Sequence, residues 1–312
     1  MEPITFLPLY KERVWGGREL ERVYGRKLPR AESCYGESWE MTDRPDEQSI
    51  VSDGPLAGKS LGELWQKRRR EIFGEGFEGV DRFPLLVKIL DAREDLSIQV
   101  HPPAEIASQL GGEPKTEMWF IAGAQTDAKL YVGLKEGIDE ETFRSAISAG
   151  TVSNAVHSLR PKIGESIFIP SGRLHAIGAG LLIYEIQQNS DTTYRVFDWN
   201  RTGLDGQKRE LHVEQSMQCI DFDDIEPGMD KPEGRTLAHC HYFKVDRLEL
   251  DAGAELSNPD PDRFSIVTVL HGRIQSRDGQ NYSAGDFVLV PRSGSPLAAT
   301  SRASVLQTTI PR

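Results

Sequence analysis

Gln99 and His101 in SIQVHPP, Glu117 in KTEMWF and His175 in PSGRLHAIGAG are residue types that bind metals. Each stands where an extended segment meets a turn marked by Pro or Gly. Two neutral imidazoles and a carboxylate form a donor set suited to a divalent cation such as zinc. One ion held by all of them would tie three distant segments together, so the chain must fold as a closed β scaffold around a pocket.

The elements that would position these residues follow from periodicity. FPLLVKIL, from Phe83, is a compact apolar run long enough for a buried strand, and LSIQVHP alternates apolar with polar residues. Alternation puts Ser97, Gln99 and His101 on one face and Leu96, Ile98 and Val100 on the other. EMWFIAGA, KLYVGL, ESIFIP and LLIYEIQQ supply further strands, and the N-terminal stretch reads as strand-rich. Helices are expected over AEIASQLGG, DEETFRSAISAG and ELHVEQSMQCIDF, and over Lys59 to Gly74, where Leu61, Leu64, Trp65 and Ile72 share a face. The RRR run of that last helix is read as a solvated face. EPGMDKPEG is the best linker, and from about Thr236 the chain is strand-like almost to its end.

A repeat sharpens the division. Gly164 to Pro170 (GESIFIP) and Gly285 to Pro291 (GDFVLVP) share a Gly, an acidic residue, alternating apolar residues and a Pro. The first copy runs on to Gly172 and His175; the second has Ser293 and no His. Two domains are therefore expected: residues 1–230, a metal-binding catalytic domain with helical insertions, and residues 236–312, a β domain without ligands.

Composition excludes several classes. The net charge of -11 argues against nucleic-acid partners, whose phosphate backbone is bound by clustered Lys and Arg. No window is apolar enough to span a bilayer, and the start, MEPITFLPLYKERVWGG, reads as no signal peptide. Cys34, Cys219 and Cys240 are odd in number and form no CxxC, which suits a reducing compartment; a cytoplasmic monomer is expected. His157, His212, His239, His241 and His271 lack motif context, and surface or packing roles are expected for them.

Gly164, Pro170, Gly172 and His175 match the Gly…Pro-x-Gly-x-x-His segment of the cupin superfamily. That resemblance implies a mainly β fold of two cupin-like jelly-roll (double-stranded β-helix) barrels with a few covering helices. Together with KERVWGG, YGESWEM, FPLLVKILDAREDLSIQVHPP, KTEMWFIAG, IPSGRLHAIGAGLLIYEIQQNSDTTYRVFDW and ELHVEQ, it narrows. The chain resembles the type I mannose-6-phosphate isomerases (phosphomannose isomerases) in their shorter bacterial form, over nearly its whole length. The resemblance implies one zinc ion, with Gln99, His101, Glu117 and His175 as ligands. It also implies Arg195 as the active-site arginine, with Ser97, Lys115 and Asp191 in the substrate pocket.

The reaction implied is the interconversion of mannose 6-phosphate and fructose 6-phosphate through an enediol. Such chemistry needs proton transfer between neighbouring carbons and stabilisation of a developing oxyanion. Asp191 is expected to orient Arg195 or shuttle a proton. Lys88 is divided between a site role and a strand residue reaching solvent. Trp15, Trp39 and Trp119 are expected to pack around the site, and Arg173 and Arg201 to be surface charge. The alternatives are a metal cupin of other chemistry, such as an iron oxygenase, and a non-catalytic sugar-phosphate-binding cupin.

Overall fold

Strands dominate the computed structural model, which describes residues 1–312, and five α-helices accompany them. The chain divides into two compact units, each discontinuous in sequence: Tyr10–Ser38 with Lys88–Asp230, and Met1–Leu9 with Trp39–Val87 and Lys231–Arg312. A single cut near residue 230 does not describe this division. Residues 39–87 group with the C-terminal β segment because they share a core: Trp65, Phe73, Phe77 and Phe83 pack around Phe264, with ring centroids about 5–6 Å apart.

Most of one sheet lies in the unit that holds the candidate ligands: Ser166–Ile169, Glu117–Ala124, Leu181–Gln188, Leu85–Ala92, Leu9–Gly17 and Tyr35–Met41. A second runs Val156–Leu159, Leu130–Leu134, His175–Ile177, Ile98–Val100 and Tyr194–Phe197. One core joins the inner faces of both, through Leu90, Trp119, Ile121, Leu130, Val132, Ile167, Ile177 and Ile183. Another lies between the second sheet and the helices Glu140–Ala149 and Val213–Cys219, around Ile98, Val100, Phe143 and Met217.

The other unit repeats the two-sheet plan, with five strands from Thr236–His239 to Ala303–Thr309 and four shorter ones, over a core of Val267, Val269, Ile274, Val288, Leu297 and Val305. The two GxxxxxP copies are structurally alike. Gly164 and Gly285 have φ of 88° and 87°, and each donates its N–H to a neighbouring strand, at Ile121 O (2.9 Å) and Val269 O (3.0 Å). Gly172 and Ser293 are both left-handed eight residues after those glycines.

The helix at Leu61–Ile72 begins as expected, with Ser60 Oγ accepting from Glu63 N. Its arginine run is surface charge in part: Arg68 pairs with Glu71 and Arg70 with Glu75, while Arg69 lies over the Trp65 ring at 4.7 Å. Glu19–Tyr24 is a helix that periodicity did not signal. At six residues it is too short to propagate alone; its first turn is held by Asp91, whose Oδ2 accepts from Glu19 N at 2.6 Å.

Candidate active site

Three fully buried side chains, His101, Glu117 and His175, bring their ligand atoms within 4.8 Å of one another. The backbone makes this meeting necessary. His175 pairs in register with Gln99, the chain leaving that strand reaches His101, and Gly172 donates its N–H to the His101 carbonyl at 2.9 Å. Gly172 has φ 92°, a conformation open to glycine, so the turn before His175 can fold tightly onto the turn after His101. Glu117 opens the strand that pairs with both Ser166–Ile169 and Leu181–Gln188.

Both imidazoles are held in one tautomer. His101 Nδ1 donates to Thr192 O (2.8 Å) and His175 Nδ1 to Arg173 O (2.9 Å), leaving each Nε2 lone pair facing Glu117 at 3.7 and 3.6 Å. Burial, then the neighbouring Lys115 charge, holds His101 down to about 3; burial holds His175 down to about 4. Burial works against the Glu117 charge, but Lys115, His101 and His175 together outweigh it and keep this carboxyl well below its usual range. Lys115 Nζ lies 2.5 Å from Glu117 Oε2 and 3.1 Å from His101 Nε2, yet neither carboxylate oxygen accepts a well-formed hydrogen bond. Two neutral Nε2 donors and a buried carboxylate without a well-formed hydrogen bond are a donor set that suits a divalent cation.

Gln99 stands beside this cluster, its amide nitrogen 3.4 Å from His175 Nε2 and its Oε1 accepting from Ser97 Oγ at 3.1 Å. A half-turn of the amide would present the carbonyl oxygen instead. His175 reaches the wall of a cavity of about 510 Å³, lined also by Trp15, Ser97, Gln99, Lys115, Trp119, Asp191 and Arg195. Trp39 belongs to the other unit's core. Arg195 Nε donates to Ser97 Oγ (3.2 Å) and its Nη1 to the Glu210 carbonyl (3.0 Å). No hydrogen bond joins Asp191 to Arg195; Asp191 lines the cavity beside it.

Lys88 does not reach solvent. It is buried in the cavity wall, 3.3 Å from Glu185 Oε1 and 3.8 Å from Glu37 Oε2, and those carboxylates overcome the burial cost and raise its proton affinity. Burial, then Glu117, pushes Glu185 above the usual carboxyl range, and Trp119 Nε1 donates to it at 3.0 Å. No separate sequence signal marks Glu37 or Glu185; the alternation that faces Lys88, Glu185 and Glu117 inward could have found Glu185. His212, expected on the surface or in packing, also lines the cavity, and its Nδ1 accepts from Arg195 N at 3.3 Å. Arg173 is a structural brace, bound to both Asp224 oxygens at 2.8 and 2.9 Å.

A mainly β fold with a buried cation-binding donor set beneath a charged cleft defines a class of protein suited to polar small substrates. A family model described as phosphomannose isomerase type I, catalytic domain, matches residues 5–116. Mannose-6-phosphate isomerase ManA of Bacillus subtilis (strain 168) is 37% identical over 308 residues, covering 93% of each chain. The crystal structure of the mannose 6-phosphate isomerase from Bacillus subtilis matches at a TM-score of 0.88 and 31% identity, over 99% of this chain and 100% of that one. A mannose 6-phosphate isomerase solved with zinc and yttrium shares the fold at 15% identity, with a TM-score of 0.76 over 100% of both chains. The chain belongs to the type I mannose-6-phosphate isomerase family, enzymes that interconvert an aldose and a ketose.

Proposed function

We propose that this isomerase uses one zinc ion held by His101, Glu117 and His175, with Gln99 as a fourth, weaker donor, and that it converts mannose 6-phosphate to fructose 6-phosphate and back through an enediol. The observation that carries the reading is the buried Glu117 carboxylate, without a well-formed hydrogen bond, facing two Nε2 lone pairs. The zinc-bearing relative supports the choice of metal. When bound, the ion supplies Lewis-acid polarisation of the sugar oxygens.

The chain's own residues do the rest. Arg195, permanently charged and fixed by Ser97 and Glu210, offers a stationary positive charge to the enediolate oxygen. Ser97, Lys115 and Asp191 contact the sugar from the cavity wall. Lys88 and Glu185 are a proton-handling pair: burial pushes the carboxyl up while the carboxylates keep the amine protonated, so one group can accept a proton and the other donate. The enclosing tryptophans limit water at the reacting carbons.

The chemistry is assigned to the ligand-bearing part of residues 1–230. Residues 236–312 are a ligand-free sister jelly roll, with Pro296 where the repeat would place a histidine. The enzyme is taken to work as a cytoplasmic monomer. A coupled assay for fructose 6-phosphate, with metal measured on the same sample, tests the proposal. Turnover proportional to zinc content is expected; full turnover in metal-free protein would overturn the zinc assignment.

A further inference from the structure

Beside one end of the cavity Asp198 binds two arginines, Arg209 and Arg201, and Arg195 stands near them. Asp198 Oδ2 accepts from Arg209 Nε at 2.7 Å, and its Oδ1 accepts from Arg209 Nη2 and from Arg201 Nη2, the latter at 2.8 Å. Arg195, nearby, is held by neutral oxygens alone. Burial lowers its proton affinity, and the Arg209 charge is the next cause, followed after Asp198's opposing pull by Arg201. The three guanidinium groups are therefore within electrostatic reach of one another.

Arg195, Arg201 and Arg209 stand against Asp198 and the cavity-lining Asp205, leaving an excess of positive charge that complements a phosphate monoester. Asp205 accepts from Gln207 N in its own turn at 2.9 Å, and the exposed Glu94 approaches Arg201 only to 4.0 Å. Arg201 is turned away, with its Nη1 on the Asp95 carbonyl, and does not line the cavity. Arg209 does line it, and its side chain is partly exposed.

We propose that Arg209 is the specificity-determining residue for the substrate's phosphate and that Asp198 positions it, an assignment that rests on the sugar-phosphate isomerase reading above. Arg209 follows directly on the turn closed by the Thr202–Lys208 bridge, where an unbraced arginine would sample many rotamers. Asp198 grips two of its nitrogens, and Arg201 occupies the same carboxylate, so Asp198 is itself held in place. What remains open on Arg209 faces the cavity, where a planar guanidinium suits phosphate oxygens.

Calorimetric titration of the metal-loaded enzyme with inorganic phosphate, beside kinetics with mannose 6-phosphate, tests this. Arg209→Gln is expected to weaken phosphate binding and raise KM by roughly ten- to hundredfold, with a smaller fall in kcat. Arg209→Lys should keep most of the phosphate affinity. Asp198→Asn should raise KM less than Arg209→Gln, and Asp198→Glu should recover part of that loss. Unchanged phosphate affinity and KM in Arg209→Gln overturn the assignment while leaving the isomerase reading intact, and so does equal loss in Arg209→Lys and Arg209→Gln. Phosphate binding that depends on Arg209 in an enzyme unable to isomerise mannose 6-phosphate overturns the isomerase reading and upholds the anion site.

Discussion

His175 and Arg195 separate two kinds of dependence that the same pocket contains. Removing the imidazole of His175 takes away one neutral donor and leaves Glu117 facing a single Nε2, so affinity for the ion and turnover should fall together. His175→Ala is expected to lose most of its zinc on dialysis and to lose activity by roughly a hundredfold or more, as elemental analysis and the coupled assay on one sample would show. Arg195 touches none of the three donors; its partners are Ser97 and Glu210. Arg195→Ala should therefore keep its zinc and lose kcat by about 10² to 10³, the scale of removing one preorganised charge from an oxyanion. Wild-type turnover in that variant would refute the role given to Arg195.

At the scale of elements, Asp91 is where local structure and titration meet. It sits on the Leu85–Ala92 strand and holds the first turn of the Glu19–Tyr24 helix through Glu19 N. Burial raises its carboxyl to about 6 from 3.8, and the backbone hydrogen bond offsets only part of that. A carboxyl raised on folding binds more protons in the native state, so its contribution to stability is greatest below pH 3.8 and declines as pH rises through 6. The loss over that window is on the order of 3 kcal/mol. Asp91→Asn keeps an acceptor oxygen for Glu19 N and removes the titration. Urea unfolding at pH 4 and pH 7 should show this part of the decline in the wild type and not in the variant; parallel pH profiles would show that Asp91 does not titrate in this way. The same contact explains what could be read from the chain. The helix at Leu61–Ile72, the inward alternation of Ser97, Gln99 and His101 and the His175 turn are local patterns, and they were legible. The Glu19–Tyr24 helix, the Glu37 and Glu185 partners of Lys88 and the grip of Asp198 on Arg209 depend on residues brought together by the fold. Asp191 shows the converse: the resemblance implied that it orients Arg195 or shuttles a proton, and the strand Tyr194–Phe197 pairs Arg195 with Gln99 and turns its guanidinium to Ser97.

For the whole molecule, the division into two units predicts where a bound ion adds stability. All three strong donors lie in the unit Tyr10–Ser38 with Lys88–Asp230, on turns and strands far apart in sequence. An ion there adds a joint between segments held by strand pairing, apolar contacts and a few polar links, so removing it should loosen those segments first. Lys115 limits the damage, because its ammonium still neutralises Glu117 at 2.5 Å. With zinc about a thousandfold above its Kd, the ion contributes about 4 kcal/mol, and stripping it should lower Tm by several degrees for a chain of this length. Hydrogen exchange gives the spatial test. After chelation, amides of Ile98–Val100, Glu117–Ala124 and His175–Ile177 should exchange faster, while Ser265–His271 and Ala303–Thr309, whose unit has no such donor cluster, should keep their protection. Re-addition of zinc should restore both protection and turnover. Equal loss of protection across both units would mean that they unfold as one cooperative body and that the ion stabilises the chain globally.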